Sequence, residues 1–261
     1  MPDTLITLTT DFGTGSPYVA AMKGAILSIN PMARLVDLCH EVPPQNVRHA
    51  AFFLASVVPY FPKETIHVVV VDPGVGSERA LLYIEMAGQR LLAPDNGCWT
   101  SLELEGEPPR VLRLTESRFW RAKVSATFHG RDILAPIAGH LSLGLLPDFL
   151  GPPTNEWVRL EEKATTLLEE GINGEIVHVD RFGNLVSNVP EALLGQPERF
   201  RIWIGETEVV YWVRTYADAD EGTLVALLSS IGTLEIAVVR GNAAQQLQVG
   251  IGALVMVRWN R

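Results

Sequence analysis

One stretch of the chain constrains its fold more than any other. Residues 66–79 read IHVVVVDPGVGSER, a run of β-branched residues that leads into Asp72 and a turn rich in proline and glycine. Such a run indicates a strand covered on both faces, as in the parallel sheet of an α/β layer. We expect Asp72 to end this strand, at the carboxyl edge where open α/β sheets place their ligands. Arg79 is close enough in sequence to fold back towards Asp72.

Length, charge and cysteine content exclude several classes of protein. The 261 residues suffice for one large domain or two modest ones. A formal net charge of −9 argues against nucleic-acid binding, which needs basic stripes. The N-terminus has no signal-peptide pattern, and no apolar run is long enough to span a membrane. Cys39 and Cys98 show no zinc-ligand spacing. We expect a cytoplasmic protein that binds no metal, nucleic acid or membrane.

The first part of the chain alternates predicted strands and helices. Strands are predicted at residues 5–10, 34–38 and 66–72, and helices at about 16–29 and 46–58. This rhythm is typical of a mostly parallel sheet flanked by helices, the α/β class. A hairpin with Gly88 at its turn is predicted over residues 80–93, and one further helix over about 130–145.

From about residue 165 the pattern changes to short strands separated by Gly, Asp and Asn turns. These strands are predicted at residues 174–179, 200–205, 208–213, 223–228, 234–239 and 253–259, after an acidic turn at 165–171. Such spacing is the signature of a small antiparallel barrel or sandwich. We therefore predict an N-terminal α/β domain over residues 1–163 and a C-terminal antiparallel β-barrel domain over residues 168–261.

Three complementary side chains lie at predicted junctions between loops and regular elements: Asp72, Arg79 and His129. An Asp can orient an Arg or a His, an Arg can hold an anionic oxygen, and a His can exchange a proton near neutral pH. Such a trio is suited to activating a water without a metal. The alternatives are an ion pair that braces the turn and a histidine that caps a helix or lies in the core. No GxSxG motif supports a serine triad.

Asp11 follows the first predicted strand. A carboxylate at that place can accept both hydroxyls of a ribose, as in dinucleotide sites. It can equally form an Asx turn or cap the next helix. No GxGxxG or P-loop motif follows, so the sequence does not favour an NAD or P-loop protein.

Two loops of the second part offer polar groups. Residues 180–184 (DRFGN) have the composition of a plain β-turn, which is the favoured interpretation. As a recognition loop, the Asn184 amide can pair with a base edge, and Asp180 can meet a cationic group. Residues 241–244 (GNAA) offer backbone groups for similar use, or simply begin a short helix.

Eight motifs, in order along the chain, resemble one family: the S-adenosyl-L-methionine (SAM) hydroxide adenosyltransferases, or SAM hydrolases, which are relatives of the fluorinases and chlorinases. They are TDFGT (10–14), KG (23–24), VDLCH (36–40), DPGVG (72–76), PDNG (94–97), FHGRD (128–132), DRFGN (180–184) and GNAA (241–244). The resemblance covers nearly the whole chain. It implies an α/β domain, a β-barrel domain and a homotrimer, with active sites between the N-terminal domain of one subunit and the C-terminal domain of its neighbour.

The resemblance also implies roles for single residues. The Asp–Arg–His trio of the hydrolases falls on Asp72, Arg79 and His129. The substrate-binding positions fall on Asp11 (ribose), Asp180 (methionine ammonium), Asn184 (adenine), Tyr216 (aromatic contact with the nucleoside), Ser230 (methionine carboxylate) and the backbone near Asn242 and Ala243 (adenine).

Two departures from the halogenases favour the hydrolase branch. In the fluorinases a Tyr stands where this chain has Asp72, and a Tyr–Ser pair where it has His129-Gly130. The tight hairpin also lacks the extended loop of the halogenases. A separate difference concerns the methionine carboxylate: the halogenases have an Arg after their carboxylate-binding Ser, and this chain has Ile231 there. The resemblance implies attack of water or hydroxide at C5′ of SAM, giving adenosine and L-methionine with no cofactor. The alternatives are a SAM-dependent halogenase and a non-catalytic adenosine or SAM sensor.

Overall fold

The computed structural model describes residues 4–102, 108–161, 164–195 and 200–260. The chain forms two compact units, Met1–Leu160 and Glu161–Arg261. Residue 163, the predicted end of the first domain, lies outside the described residues, and the predicted domain limits stay a prediction. In the described part of the chain, no helix has the length and apolar character needed to cross a membrane.

The first unit begins with alternating strands and helices, as predicted. They are β1 (Leu5–Thr10), α1 (Pro17–Leu27), β2 (Arg34–Cys39), α2 (Val47–Val57) and β3 (Ile66–Val70). Helix α1 begins where Ser16 accepts a hydrogen bond from the Tyr18 N–H and Pro17 supplies a preset helical φ. Helix α2 begins in the same way at Asn46, whose side chain accepts from the His49 N–H.

A six-stranded sheet forms the centre of this unit. The remaining strands are β4 (Leu81–Met86), β5 (Gln89–Pro94) and β6 (Arg110–Arg113), and the order is β2-β1-β3-β5-β4-β6. Strands β2, β1, β3 and β5 run parallel, while β4 pairs antiparallel with β5 and β6. The prediction of a mostly parallel sheet is confirmed; β6 was not predicted.

Strand β3 is buried on both faces. Ile66, Val68 and Val70 belong to one apolar cluster, and Val69 and Val71 to another. The strand nevertheless ends at Val70, so the prediction that Asp72 is its last residue is wrong by two positions. The reason is that the Val71 carbonyl accepts its hydrogen bond from the Asn96 side-chain amide, at 2.9 Å, and not from a neighbouring strand.

The segment predicted as one helix over about 130–145 has two parts. Residues Gly130–Leu134 form a π-helical turn, and α3 follows at Ala135–Ser142. Pro136 explains the break, because it has no N–H to donate to the Asp132 carbonyl four residues earlier. That carbonyl instead accepts from the Arg121 N–H at 2.9 Å.

In its described residues, the second unit is a barrel-like sheet with two short α-helices. Its elements are β7 (Thr166–Leu168), β8 (Gly171–Val179), β9 (Leu185–Pro190), α4 (Glu191–Leu194), β10 (Phe200–Ile204), β11 (Thr207–Val209), β12 (Tyr211–Trp212), β13 (Leu224–Leu228), β14 (Thr233–Val238), α5 (Ala243–Leu247) and β15 (Leu254–Trp259). The strand order is β11-β10-β15-β8-β9-β14-β13-β12, with β7 on β8.

The barrel-like architecture predicted for this unit is confirmed, with differences in detail. Strand β7 occupies part of the segment predicted as an acidic turn, and the strand predicted at 208–213 is divided between β11 and β12. The pair of β12 and β13 is parallel, in contrast to the antiparallel pattern predicted for the whole unit. One apolar cluster, which includes Ile172, Ile236 and Val257, fills the interior.

Candidate active site

The three residues of the predicted trio are in contact, with Arg79 between the other two. Arg79 Nε lies 2.7 and 2.9 Å from the two carboxylate oxygens of Asp72, and its Nη2 also donates to Asp72 Oδ2. The same Nη2 lies 3.0 Å from Nδ1 of His129. The arrangement is therefore a chain of contacts from Asp72 through Arg79 to His129.

The contact with Arg79 fixes the protonation of the His129 ring. A guanidinium has only donors, so Nδ1 must accept and the proton of the neutral ring sits on Nε2. Burial lowers the pKa of His129, and the charge of Arg79 lowers it further, against the opposing effect of Asp72. His129 is thus a neutral ring at pH 7, with Nε2–H as a hydrogen-bond donor.

The ion pair between Asp72 and Arg79 is largely removed from solvent. The exposed fractions of the two side chains are 6% for Asp72 and 10% for Arg79. A charge buried to this extent needs its partner, because an isolated one pays a desolvation cost of several kcal/mol. Within the described ranges Nη1 of Arg79 forms no hydrogen bond. The atom is not fully buried, so it keeps contact with solvent. It can therefore bind a water or substrate oxygen.

Two glycines allow the trio to assemble. Gly76 has a φ of +81°, and a Cβ there would lie 2.5 Å from the Ala126 carbonyl oxygen. A Cβ on Gly130 would lie 3.0 Å from the Val70 methyl groups. The loop after β3 and the segment that carries His129 can approach this closely because neither glycine has a side chain.

Asp132, which the sequence analysis did not assign to the site, holds the His129 segment in place. Its side chain is fully buried and accepts from the Ser125 N–H at 2.8 Å and from Arg131 Nε at 2.7 Å. Burial alone would raise the pKa of Asp132, but these hydrogen bonds lower it below its usual value. The signal was available in the sequence, since Asp132 is the last residue of the FHGRD motif.

Asp11 lies in the loop after β1, which neighbours β3 in the sheet. Thr10 pairs with Val70, so the loops that carry Asp11 and Asp72 leave the same edge of adjacent parallel strands. Asp11 Oδ2 accepts from the Gln45 N–H at 2.8 Å. No hydrogen bond to its Oδ1 forms within the described part of the chain, so one oxygen braces a loop and the other can accept from a ligand hydroxyl.

In the second unit, residues 180–184 form the turn that the sequence favoured. Oδ1 of Asp180 accepts from the backbone N–H groups of Phe182 and Asn184, each at 2.8 Å. Its Oδ2 accepts from Asn184 Nδ2 at 2.9 Å. This turn orients the Asn184 amide, whose Oδ1 accepts no hydrogen bond within the described residues.

The GNAA segment packs directly against that turn. A Cβ on Gly183 would lie 2.1 Å from the carboxamide carbon of Asn242, so this carboxamide fills the space beside Gly183. The Ala244 N–H donates to the Gly183 carbonyl at 3.0 Å. The segment also begins α5, where Asn242 accepts from the Gln245 N–H at 2.7 Å. Ala243 is fully buried, backbone and side chain alike.

The two other predicted binding residues differ in their surroundings. Tyr216 donates its hydroxyl to Glu235, at 2.5 Å. Ser230 is exposed in the turn between β13 and β14, and its side chain forms no hydrogen bond in the described part of the chain. Among the described residues, no group of three His, Cys, Asp or Glu side chains is placed to hold a metal ion.

Comparison with known proteins gives a consistent result. Models of the SAM hydroxide adenosyltransferase N-terminal and C-terminal domains match residues 6–151 and 174–256. The chain is 40% identical, over 91% of its length and 92% of the relative's, to the (R)-S-adenosyl-L-methionine hydrolase of Thermus thermophilus. It is 25% identical, over 97% of its length and 96% of the relative's, to the fluorinase of Nocardia brasiliensis.

A solved structure, an uncharacterised conserved protein from Thermotoga maritima, has the same fold. It superposes with a TM-score of 0.90 at 34% sequence identity, and the match covers 97% of this chain and 100% of that one.

Proposed function

The chain belongs to the SAM hydroxide adenosyltransferase family, and we propose that it hydrolyses S-adenosyl-L-methionine to adenosine and L-methionine. Besides family membership, the observation that carries the proposal is the contact of Asp72, Arg79 and His129 around a potential oxygen site. Identity to a named hydrolase, 40%, is also well above identity to a fluorinase, 25%.

The reaction needs little from the protein besides a well-placed oxygen nucleophile. Attack at C5′ forms the O–C5′ bond and breaks the C5′–S bond, whose electron pair stays on sulfur. The sulfonium becomes a neutral thioether, so methionine leaves without being protonated. Water releases one proton to solvent. Holding the two reacting groups in line can contribute several kcal/mol.

The trio supplies donors to the attacking oxygen. His129 Nε2–H and the Nη1 of Arg79 hold a water and stabilise its hydroxide form, because both are donors and Arg79 carries a positive charge. Asp72 neutralises the buried guanidinium and fixes its plane through two nitrogen atoms. In this arrangement His129 is not a proton acceptor, since Nδ1 is engaged and Nε2 is protonated.

The remaining site residues bind the substrate. Their proposed partners are the ribose hydroxyls for Asp11, the methionine ammonium for Asp180, adenine for Asn184 and the backbone of Asn242 and Ala243, the nucleoside for Tyr216, and the methionine carboxylate for Ser230 with nearby backbone N–H groups. The free Oδ1 of Asn184 suits this role, because it can accept a hydrogen bond from an exocyclic amine.

We extend the (R) descriptor in the relative's name to this chain. The term L-methionine already fixes the α-carbon, so the descriptor refers to the sulfonium sulfur, which carries three different carbon groups. The enzyme is therefore proposed to act on the (R) epimer. Incubation with each separated sulfonium epimer tests this, and faster turnover of the other epimer would overturn it.

A homotrimer and a cytoplasmic location are the further proposals that accompany this function. Cyclic assemblies are common among homo-oligomers, and the family resemblance implies three subunits. Sedimentation equilibrium on the purified chain tests the assembly: the proposal requires the mass of three chains.

Chromatography of the products formed from SAM tests the function itself. The proposal requires adenosine and methionine in equal amounts. In the presence of chloride or fluoride, 5′-halo-5′-deoxyadenosine would instead support the halogenase alternative. Tight adenosine binding in calorimetry with no release of methionine would support a non-catalytic sensor.

A further inference from the structure

A buried carboxylate in the second unit has no role in the function proposed so far. Glu235 lies on β14, and the residue is only 6% exposed. Its Oε1 accepts the hydroxyl proton of Tyr216 at 2.5 Å, from a residue 19 positions away in the chain. Charge-assisted hydrogen bonds of this kind are about twice as strong as neutral ones.

Among the described residues, no cation forms a salt bridge with Glu235, and none is among the causes of its pKa shift. Burial raises the pKa of Glu235, the hydroxyl of Tyr216 opposes this, and the carboxylate of Asp180 raises the pKa further. Burial and the same two carboxylates also raise the pKa of Tyr216, so its hydroxyl remains a donor. An acidic side chain buried beside a second acidic group is costly to keep charged.

The hydroxyl of Tyr216 is hydrogen-bonded, whereas much of the residue is exposed to solvent. It begins a short 3₁₀ turn, Tyr216–Asp218, which is closed by reciprocal hydrogen bonds between Thr215 and Asp218. The residue is 43% exposed although its hydroxyl is engaged. The ring is therefore accessible to a ligand while its orientation is restricted.

We propose that Glu235 is a positioning residue that holds the Tyr216 ring in place for contact with the nucleoside of the substrate. The proposal rests on the proposed function. Restricting Tyr216 before binding removes the entropy that a free aromatic side chain loses on contact with a ligand. Glu235 acts through Tyr216 and does not touch the reacting atoms, so its effect falls on substrate binding and not on the chemical step.

Steady-state kinetics of single and double variants test the proposal. Tyr216→Phe and Glu235→Ala each remove the hydrogen bond, and each is expected to raise KM for SAM by about two- to tenfold with little change in kcat. The double variant is expected to match the single ones, because both changes remove the same interaction. Glu235→Gln retains an acceptor oxygen and is expected to restore a KM near that of the wild type.

Three results would overturn the proposal: an unchanged KM in Tyr216→Phe, additive effects in the double variant, or a Glu235→Gln variant as impaired as Glu235→Ala. If Glu235→Ala fails to fold, Tyr216→Phe removes the same bond from the exposed side. Tyr211→Phe is the matched control, since this tyrosine of the same unit is 57% exposed, and its KM is expected to be unchanged.

A separate readout distinguishes failure of this proposal from failure of the proposed function. Calorimetric binding of adenosine requires no turnover. Weaker binding to Tyr216→Phe and Glu235→Ala, with normal binding to Glu235→Gln, supports the positioning role even if the wild type does not hydrolyse SAM.

Discussion

Arg79 Nη2 donates to Nδ1 of His129 across 3.0 Å, and this contact determines what the histidine can do. A ring that accepts at Nδ1 and carries its proton on Nε2 presents a donor to the substrate side. The site then favours hydroxide by stabilising its charge and not by removing a proton from water.

Removal of the His129 ring is expected to slow turnover severely. His129→Ala removes one donor from the attacking oxygen, a loss typically worth about 10²–10³ in kcat. Adenosine binding is expected to stay near the wild-type value, because the nucleoside is assigned to other residues. Single-turnover kinetics and calorimetry measure the two effects. His140→Gln is the control, and an unchanged rate in His129→Ala would remove His129 from the mechanism.

Activity is expected to decline on the acid side as His129 gains a proton. Burial and Arg79 lower the pKa of the folded ring below 6.5, so the neutral form persists as the pH falls through 6.5. Protonation then occurs at the lower folded pKa and puts an N–H opposite the Arg79 donor. The profile of kcat/KM against pH should therefore show an acid limb centred below 6.5, which is absent in His129→Ala. A limb centred above 6.5 contradicts the assignment.

Loss of the Asp72 charge is expected to reduce both activity and stability. Asp72→Ala leaves the Arg79 guanidinium buried without compensation, which costs about 3–5 kcal/mol of unfolding free energy. Asp72→Asn keeps an acceptor and should lose less stability, but turnover should still fall because Arg79 is less firmly oriented. Urea denaturation and kinetics measure these effects.

The exposed pair of Glu221 and Arg240 provides the comparison for Asp72. These side chains are 69% and 80% exposed, so Glu221→Gln is expected to cost less than about 1 kcal/mol. Equal losses at the two positions would show that burial of the Asp72 pair has no energetic consequence.

Gly76→Ala is expected to disrupt the site through backbone geometry. The new Cβ would lie 2.5 Å from the Ala126 carbonyl, in addition to the strain of a φ of +81°. Gly222 has a φ of +82° with no atom within 4 Å, so Gly222→Ala adds only the strain, about 1–2 kcal/mol. Thermal unfolding and kinetics should show a larger loss of stability, and a loss of activity, in Gly76→Ala alone. Equal melting temperatures would contradict this.

His67 is expected to make the fold sensitive to acid. It is fully buried on β3, with Nδ1 2.8 Å from Thr7 Oγ1, and burial lowers its pKa from 6.5 to about 4. The unfolded chain therefore takes up this proton first as the pH falls. The free energy of unfolding is therefore unaffected by titration of His67 above pH 6.5. It falls by about 3 kcal/mol as the pH drops from 6.5 towards 4.

Urea denaturation of wild type and His67→Gln, at pH 7 and at a pH near 4.5, measures this contribution. The variant should lose less stability than the wild type between the two conditions. The same pH dependence in both proteins would show that His67 does not titrate in this range.

The local sequence predicted those features of the fold that depend on a single strand or helix. The β-branched run of β3 and the helices predicted to begin at about residues 16 and 46 are local signals, and the structure places a strand and helices α1 and α2 there. The types of Asp72, Arg79 and His129 indicated a water-activating site, whereas the family resemblance was needed to connect it with SAM.

Features that depend on distant residues could not be predicted. The central place of Arg79 depends on the approach of two loops at Gly76, and the end of β3 depends on the Asn96 amide. The partnership of Tyr216 and Glu235 joins a turn and a strand that share no local pattern. Such contacts arise from tertiary packing, for which a propensity carries no information.

Incubation of the purified protein with SAM in ¹⁸O-labelled water tests the central claim most directly. The account predicts that adenosine carries the label in its 5′-oxygen, that methionine is unlabelled, and that His129→Ala forms the labelled adenosine about 10²–10³ times more slowly than the wild type. Adenosine without ¹⁸O would contradict it, and so would a failure to form adenosine and methionine.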